Sequence, residues 1–437
     1  MRKIVSRRPL IISAIVTLIF WAALMAVQYS LPFMPRFFYS NGVFLPQLIA
    51  DAFSALVGIA LAFILGYGHI FDRTSHFFAG LFCGGAYIVI SLIQAYANIM
   101  VSLSDEVFFE PVWRIIVFTL SMLAVGLAEE TYFRGIISNL FWDKHAKDSA
   151  GVWTAALYSG LIFGLMHFIN ILSMDPSGWG GGFAQIAGAC VTGLCFTAIY
   201  YRCKNIWVLI FIHAFLDFCG LISEGLFGGT ILSQISNYSP LTAVTSSVMP
   251  LIVTLVIFRK KKMAQTLADV PEADSSETGY IPQPLSEEES AKSKRAFKRA
   301  VIIFAVCWVL LFIGSVALNP DVQSAFESET QSDRVLDITD AGDWSGEQTF
   351  GKSYKFTVGE SRSYRINIVT APSENSSYVL VQIKSGEEVV FEQTYGGICS
   401  TTFGLDLDKG DYVLNLVYDY SRVSGGSAEY DTSVIIK

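Results

Sequence analysis

Three short stretches of this chain place ionisable side chains inside otherwise apolar sequence. The first is Glu129-Glu130-Thr131-Tyr132-Phe133-Arg134. On a helix Glu130 and Arg134 are i,i+4 neighbours, so Arg134 can pair with one carboxylate and leave Glu129 free. Low-dielectric surroundings make a free carboxylate a better general base. The second stretch is Phe163-Gly164-Leu165-Met166-His167, and the third is His213-Ala214-Phe215-Leu216-Asp217. His213 and Asp217 share one helical face.

Each stretch alone has a bland reading. The acidic pair can be a helix end whose charges snorkel, His167 a packing residue, and His213–Asp217 a pair that satisfies itself. Together they are harder to dismiss. Charges inside a bilayer are costly and mark functional sites by default, and three separate helices can share theirs only in a bundle interior. Carboxylates with histidines can activate water, and a second histidine can stabilise an oxyanion. His69, His76 and His145 fall near expected loops and read as surface residues.

The elements that must hold these groups are membrane helices. The 437 residues are 52% hydrophobic and 16% charged, with a mean hydropathy of +0.48. That is far from the roughly 25% charge of a soluble domain. Apolar runs long enough to span occur at Leu10–Val27, Leu45–Gly66, Phe77–Val101, Val112–Phe141, Val152–Ile171, Phe183–Tyr201, Ile206–Leu221 and Leu241–Phe258. The expected fold is an α-helical polytopic bundle of about eight helices, followed by a ninth span at Ala300–Leu318. Arg2, Lys3, Arg7 and Arg8 place the N-terminus in the cytoplasm. Arg73, Lys144, Lys147, Arg202, Lys204 and Arg259–Lys262 then mark alternate loops. The first run is read as a retained anchor. Small residues Ala184, Gly188 and Gly193 suit close helix packing.

The charge is unevenly spread. Residues 1–318 balance at +2 and residues 319–437 at −10. The expected organisation is a transmembrane core at 1–258, with its motif-bearing part from about 80. A cytoplasmic linker follows at 259–299, read as a solvated, disordered loop between two basic ends. The helix at 300–318 then leads to an extracytoplasmic linker and β-rich domain at 319–437. In that tail, strands are expected at Ser363–Val369, Tyr378–Lys384, Glu388–Tyr395, Tyr412–Tyr418 and Thr432–Ile436, as in a small sandwich. The acidic balance argues against nucleic acid as a partner. The seven cysteines carry no CxxC pair, and only Cys399 lies in the tail, so neither a disulfide framework nor a zinc finger is expected.

The three stretches resemble, in order, EExxxR, FxxxH and HxxxN/D motifs. The chain is thereby similar to the CPBP family of intramembrane glutamate endopeptidases. That family groups type II CAAX prenyl proteases with bacterial bacteriocin-processing and immunity (Abi) proteins. The resemblance covers roughly residues 80–260 and implies roles for Glu129, Glu130, Arg134, His167, His213 and Asp217. Glu129 would activate water with His167. His213 and Asp217 would face the scissile carbonyl, while Glu130 and Arg134 orient the first carboxylate. No metal or other cofactor is implied. Eukaryotic prenyl proteases have Asn where this chain has Asp217. An ionised Asp cannot donate to an oxyanion; the alternatives are that it fixes the tautomer of His213 or that it is protonated in a dry site.

The implied partners are a peptide or membrane-protein substrate and the bilayer, with an extracytoplasmic partner possible for the β domain. The competing reading is a non-catalytic immunity or scaffold protein of the same fold. A zinc hydrolase using Glu129, His167 and His213 ranks lower, because the chain lacks HExxH.

Overall fold

Apolar helices dominate the first three quarters of the chain, as the hydropathy requires. The structure is a computed structural model. It describes residues 2–33, 43–72, 77–102, 109–228, 234–235, 238–268, 285–319, 335–345, 349–370, 378–396, 399–419 and 427–437. It divides into two units, residues 1–102 with 108–323 and residues 103–107 with 324–437.

The first unit is helical. We label its main helices α1 (Pro9–Ser30), α2 (Phe44–Leu65), α3 (Phe77–Cys83), α4 (Gly85–Ser102), α5 (Val112–Glu130), α6 (Asn139–His145), α7 (Ser149–Met166), α8 (Trp179–Cys203), α9 (Ile206–Gly220), α10 (Pro240–Ile257), α11 (Lys260–Ala268) and α12 (Glu287–Ala317). Among the described residues, 7 helices are long and apolar enough to cross a membrane, or up to 8 when a bent pair counts as one span.

Two spans differ from the sequence expectation. The run Phe77–Val101 is not one rod: it bends by 64° between α3 and α4. Gly84 sits at the break, and a Cβ there would lie 2.3 Å from Ile212 Cδ1, so α9 approaches the kink closely. The run after Ile206 forms a helix only as far as Gly220, 15 residues, which is short for a full crossing. Its start is fixed by Asn205, whose side chain accepts a hydrogen bond from the Trp207 amide.

The ninth apolar run belongs to a helix that begins earlier than expected. Residues expected in the linker, from Glu287 onward, are already helical. Ser286 and Glu289 form a reciprocal capping box, and Glu287, Glu288 and Glu289 sit in the first turn, where the helix dipole favours acids. Ser293 donates to Asp148 at 2.6 Å, which ties this segment to the start of α7. Helix α12 packs against α7 and α8. The expected disorder within 269–284 lies outside the described residues.

The second unit is a sandwich of two four-stranded antiparallel sheets. Its strands are β1 (Leu336–Ser345), β2 (Thr349–Val358), β3 (Arg362–Thr370), β4 (Tyr378–Ser385), β5 (Glu388–Gly396), β6 (Cys399–Leu407), β7 (Gly410–Asp419) and β8 (Ser427–Ile436). The orders are β1-β8-β3-β6 and β2-β7-β4-β5. Inward residues alternate along β7, where Tyr412, Leu414, Leu416 and Tyr418 are buried. Ile366, Ile368, Val381 and Ile383 join the same core. The β4–β5 hairpin turns through Gly386 at φ +61°, a conformation that suits glycine.

Candidate functional site

The longest element around the site is a continuous 34-residue helix, Val112–His145. It is not uniformly α-helical. Between Glu130 and Asn139 it widens into a π-helical stretch, Thr131–Ser138. Such turns leave carbonyls poorly paired and gather at functional sites. Here the carbonyls are answered from the side. Asn139 Nδ2 donates to the carbonyls of Arg134 (3.1 Å) and Gly135 (2.9 Å) and lies 2.9 Å from the Tyr200 hydroxyl. The Tyr201 hydroxyl donates to Ser138 O at 2.7 Å. Helix α8 thus fixes the widened turn that carries Arg134.

Close backbone approaches bring the other groups in. A Cβ at Gly126 would lie 2.7 Å from Ile210 O and 3.1 Å from Ala214 N. Only glycine lets α5 meet α9 there, one turn before Glu130 and beside His213. At Gly160 a Cβ would lie 2.5 Å from Leu194 N, which draws α7 onto α8. Gly193 takes part in the same contact. Gly188 lets α8 meet α10, where a Cβ would lie 2.3 Å from Ser246 Oγ, and Ala184 is buried; both also line a cavity.

These approaches assemble a buried network. Arg134 Nη1 donates to Glu130 Oε1 at 2.8 Å, and both side chains are fully buried. The same oxygen lies 2.6 Å from His213 Nδ1. Arg134 Nη2 reaches Gly193 O at 3.4 Å, and its Cζ sits 3.9 Å from the centre of the Phe163 ring. That ring also packs edge-on against His167 and His213, with centroids at 5.3 and 5.9 Å. Phe163 therefore gives Arg134 a π face and also packs against both imidazoles.

His213 turns its other nitrogen outward. Nε2 lies 3.4 Å from Asp217 Oδ2 and 3.7 Å from Glu129 Oε2. Glu130 thus holds Nδ1 while Asp217 sits beside Nε2. Glu130 and Arg134 engage His213 and each other, and no hydrogen bond joins them to Glu129 among the described residues. Glu129 Oε2 and Glu130 Oε2 have no hydrogen-bond partner among those residues.

His167 caps the end of α7 and approaches from another side. Its Nδ1 lies 3.0 Å from Phe163 O, so an Nδ1–H donates there and leaves Nε2 as an acceptor. Trp21 Nε1 on α1 donates to the neighbouring Met166 carbonyl at 3.0 Å, which steadies this helix end.

Glu129, His167, His213 and Asp217 line one cavity of about 1100 Å³. Glu130 and Arg134 lie behind it. Among the described residues no three His, Cys, Asp or Glu side chains are grouped as a metal ion would require.

The sequence reading missed several contributors. Asp51 on α2 lines the cavity and is 6% exposed. It is a lone carboxylate inside an apolar span, the signal that singled out the other three stretches. Gln47, one turn earlier, faces the same space. Gly126 and Trp21 carried no local signal, because their importance lies in what approaches them.

Residues 111–219 match the family model for type II CAAX prenyl endopeptidase, Rce1-like. This segment is similar to a CAAX protease domain. It begins at the N-cap of α5 and ends in the last turn of α9. It therefore contains every member of the Glu129/Glu130–His213 network. Helices α1, α2, α10 and α12 lie outside the matched segment, although α1, α2 and α10 also line the cavity. No curated protein and no solved structure matches the chain.

Proposed function

We propose that the protein is an intramembrane endopeptidase in which Glu129 and His167 activate water. The observation that carries this reading is the shared cavity. Four ionisable side chains from α5, α7 and α9 face it, inside a segment of CAAX protease sequence. Glu129 accepts a proton as the water oxygen bonds to the scissile carbonyl carbon. His167 Nε2 accepts a hydrogen bond from the same water and orients it. His213, as an imidazolium held by Glu130, donates from Nε2 to the oxyanion. The C–N bond then breaks, and Glu129 returns the proton to the leaving amine. Asp217, beside Nε2, supports the imidazolium rather than donating itself. Arg134 holds Glu130 in place through its hydrogen bond at 2.8 Å.

The cavity walls suit a peptide. Amide side chains Gln28, Gln94, Asn170 and Gln185 line them, offering donors and acceptors to an extended backbone. We further propose that the N-terminus and the 259–299 segment are cytoplasmic, following the basic residues that flank the spans. Labelling of Lys147→Cys from the cytoplasmic side alone is the expected check, and labelling from outside contradicts it.

The reading is tested by profiling peptide termini in membranes carrying wild type, Glu129→Ala or His167→Ala. Termini present with wild type and absent with both variants are expected. Identical profiles from folded, equally expressed proteins favour a scaffold that binds without cutting. Loss of cleavage on chelation, restored by zinc, would move the mechanism to a metal centre.

A further inference from the structure

Asp51 is a carboxylate in the cavity that the hydrolytic scheme leaves without a task. It lies on α2, a 22-residue candidate span, outside the CAAX protease segment. A carboxylate at such a depth is costly unless a cation or strong donors satisfy it. Arg134 is taken by Glu130, and no lysine or arginine lines the cavity among the described residues. Gln47, a neutral amide one turn away on α2, lines the cavity beside it. Asp217 and Glu129, also acids, line the same cavity. The cavity therefore holds carboxylates from three helices, and the one on α2 is unmatched by a cation.

We propose that Asp51 is a specificity residue that receives a cationic side chain, lysine or arginine, from the peptide being cut. This rests on the peptidase reading of the cavity. A cation entering here gains a charge-assisted hydrogen bond in a site that water screens weakly. An isoprenyl chain makes no use of a buried carboxylate, so the substrate class is a basic peptide rather than one recognised by its lipid alone.

The test uses the full-length protein with Glu129→Gln, in nanodiscs of zwitterionic lipid. Two fluorescent, end-capped, otherwise apolar probe peptides are compared, one with a central lysine and one with norleucine in its place. The lysine peptide is expected to bind about tenfold tighter or more, the size of a charged hydrogen bond. Adding Asp51→Asn should erase the difference, and Asp51→Glu should keep it. Equal affinities, including no binding of either peptide, overturn the proposal, as does a lysine preference that survives Asp51→Asn. The underlying reading fails separately. Absence of Glu129-dependent termini removes the peptidase, whereas Glu129-dependent cleavage without a basic preference removes only the role of Asp51.

Discussion

Each unit of this protein buries a carboxylate within a charged cluster, and the two clusters differ in what lies beside them. In the β-sandwich, Asp340 is 4% exposed, pairs with Lys352 and accepts from the Tyr418 hydroxyl at 3.1 Å. Asp340 belongs to β1 of one sheet, and its partners to β2 and β7 of the other. Both of its oxygens are used, and the cluster links the two sheets. In the helical unit, Glu130, Arg134 and His213 are as deeply buried, yet His213 keeps Nε2 toward a cavity where Glu129, His167 and Asp217 gather. Buried charge alone marks a structural bolt as readily as an active site. The distinguishing features are an open neighbouring space and polar atoms still free to act.

Substitutions should separate the two cases. Glu130→Ala leaves Arg134 and His213 buried without their acceptor. It should cost about 3–5 kcal/mol in the helical unit and abolish cleavage, read by thermal unfolding and terminal profiling. Gly126→Val forces α5 away from Ile210 and Ala214. It should cost about 1–3 kcal/mol and lower turnover more than expression, measured on the purified protein.

Asp340→Ala should cost about 1–3 kcal/mol in the sandwich and leave cleavage intact. Joint replacement by Asp340→Leu, Lys352→Met and Tyr418→Phe should recover most of that loss, because apolar groups can substitute for a structural cluster. A cleavage defect in that triple variant would break the comparison. Burial pushes the Tyr418 phenol up, with Asp340 adding to the effect. The folded state thus holds this proton more tightly than the unfolded chain. The sandwich should keep its stability below about pH 10, the ordinary phenol value, and lose it as pH rises further. A pH titration of limited proteolysis reads this.

The smallest effect is expected at the N-terminus. Arg2 donates to Asp143 at 2.7 and 2.6 Å, and the Tyr67 hydroxyl reaches the same carboxylate at 3.0 Å. Asp143 raises the Arg2 pKa from its ordinary value, although burial opposes this. The pair is partly exposed, so Arg2→Ala should cost no more than about 1 kcal/mol, and less in high salt.

The helical unit was legible because its signals are local. Apolar runs gave the spans, and charges inside them gave Glu129, Glu130, Arg134, His167, His213 and Asp217. The break at Gly84 was not legible, since it answers to Ile212 across the bundle. Neither was the π-helical stretch, which depends on Tyr200 and Tyr201. Asp51 could have been read by the same rule and was passed over because no motif surrounds it. In the tail, β3, β4, β5, β7 and β8 followed from Val, Ile and Tyr. Strands β1, β2 and β6 were missed. They are rich in Asp, Lys, Ser and Gly, and their pairing comes from neighbours such as β8, which runs along all of β1.

We propose that the helical cluster is hydrolytic and that the sandwich cluster is not. The most direct measurement profiles peptide termini in membranes carrying wild type, Glu129→Gln or Asp340→Ala at matched levels. Termini shared by wild type and Asp340→Ala but missing with Glu129→Gln are the predicted result. The same termini persisting with Glu129→Gln would contradict it.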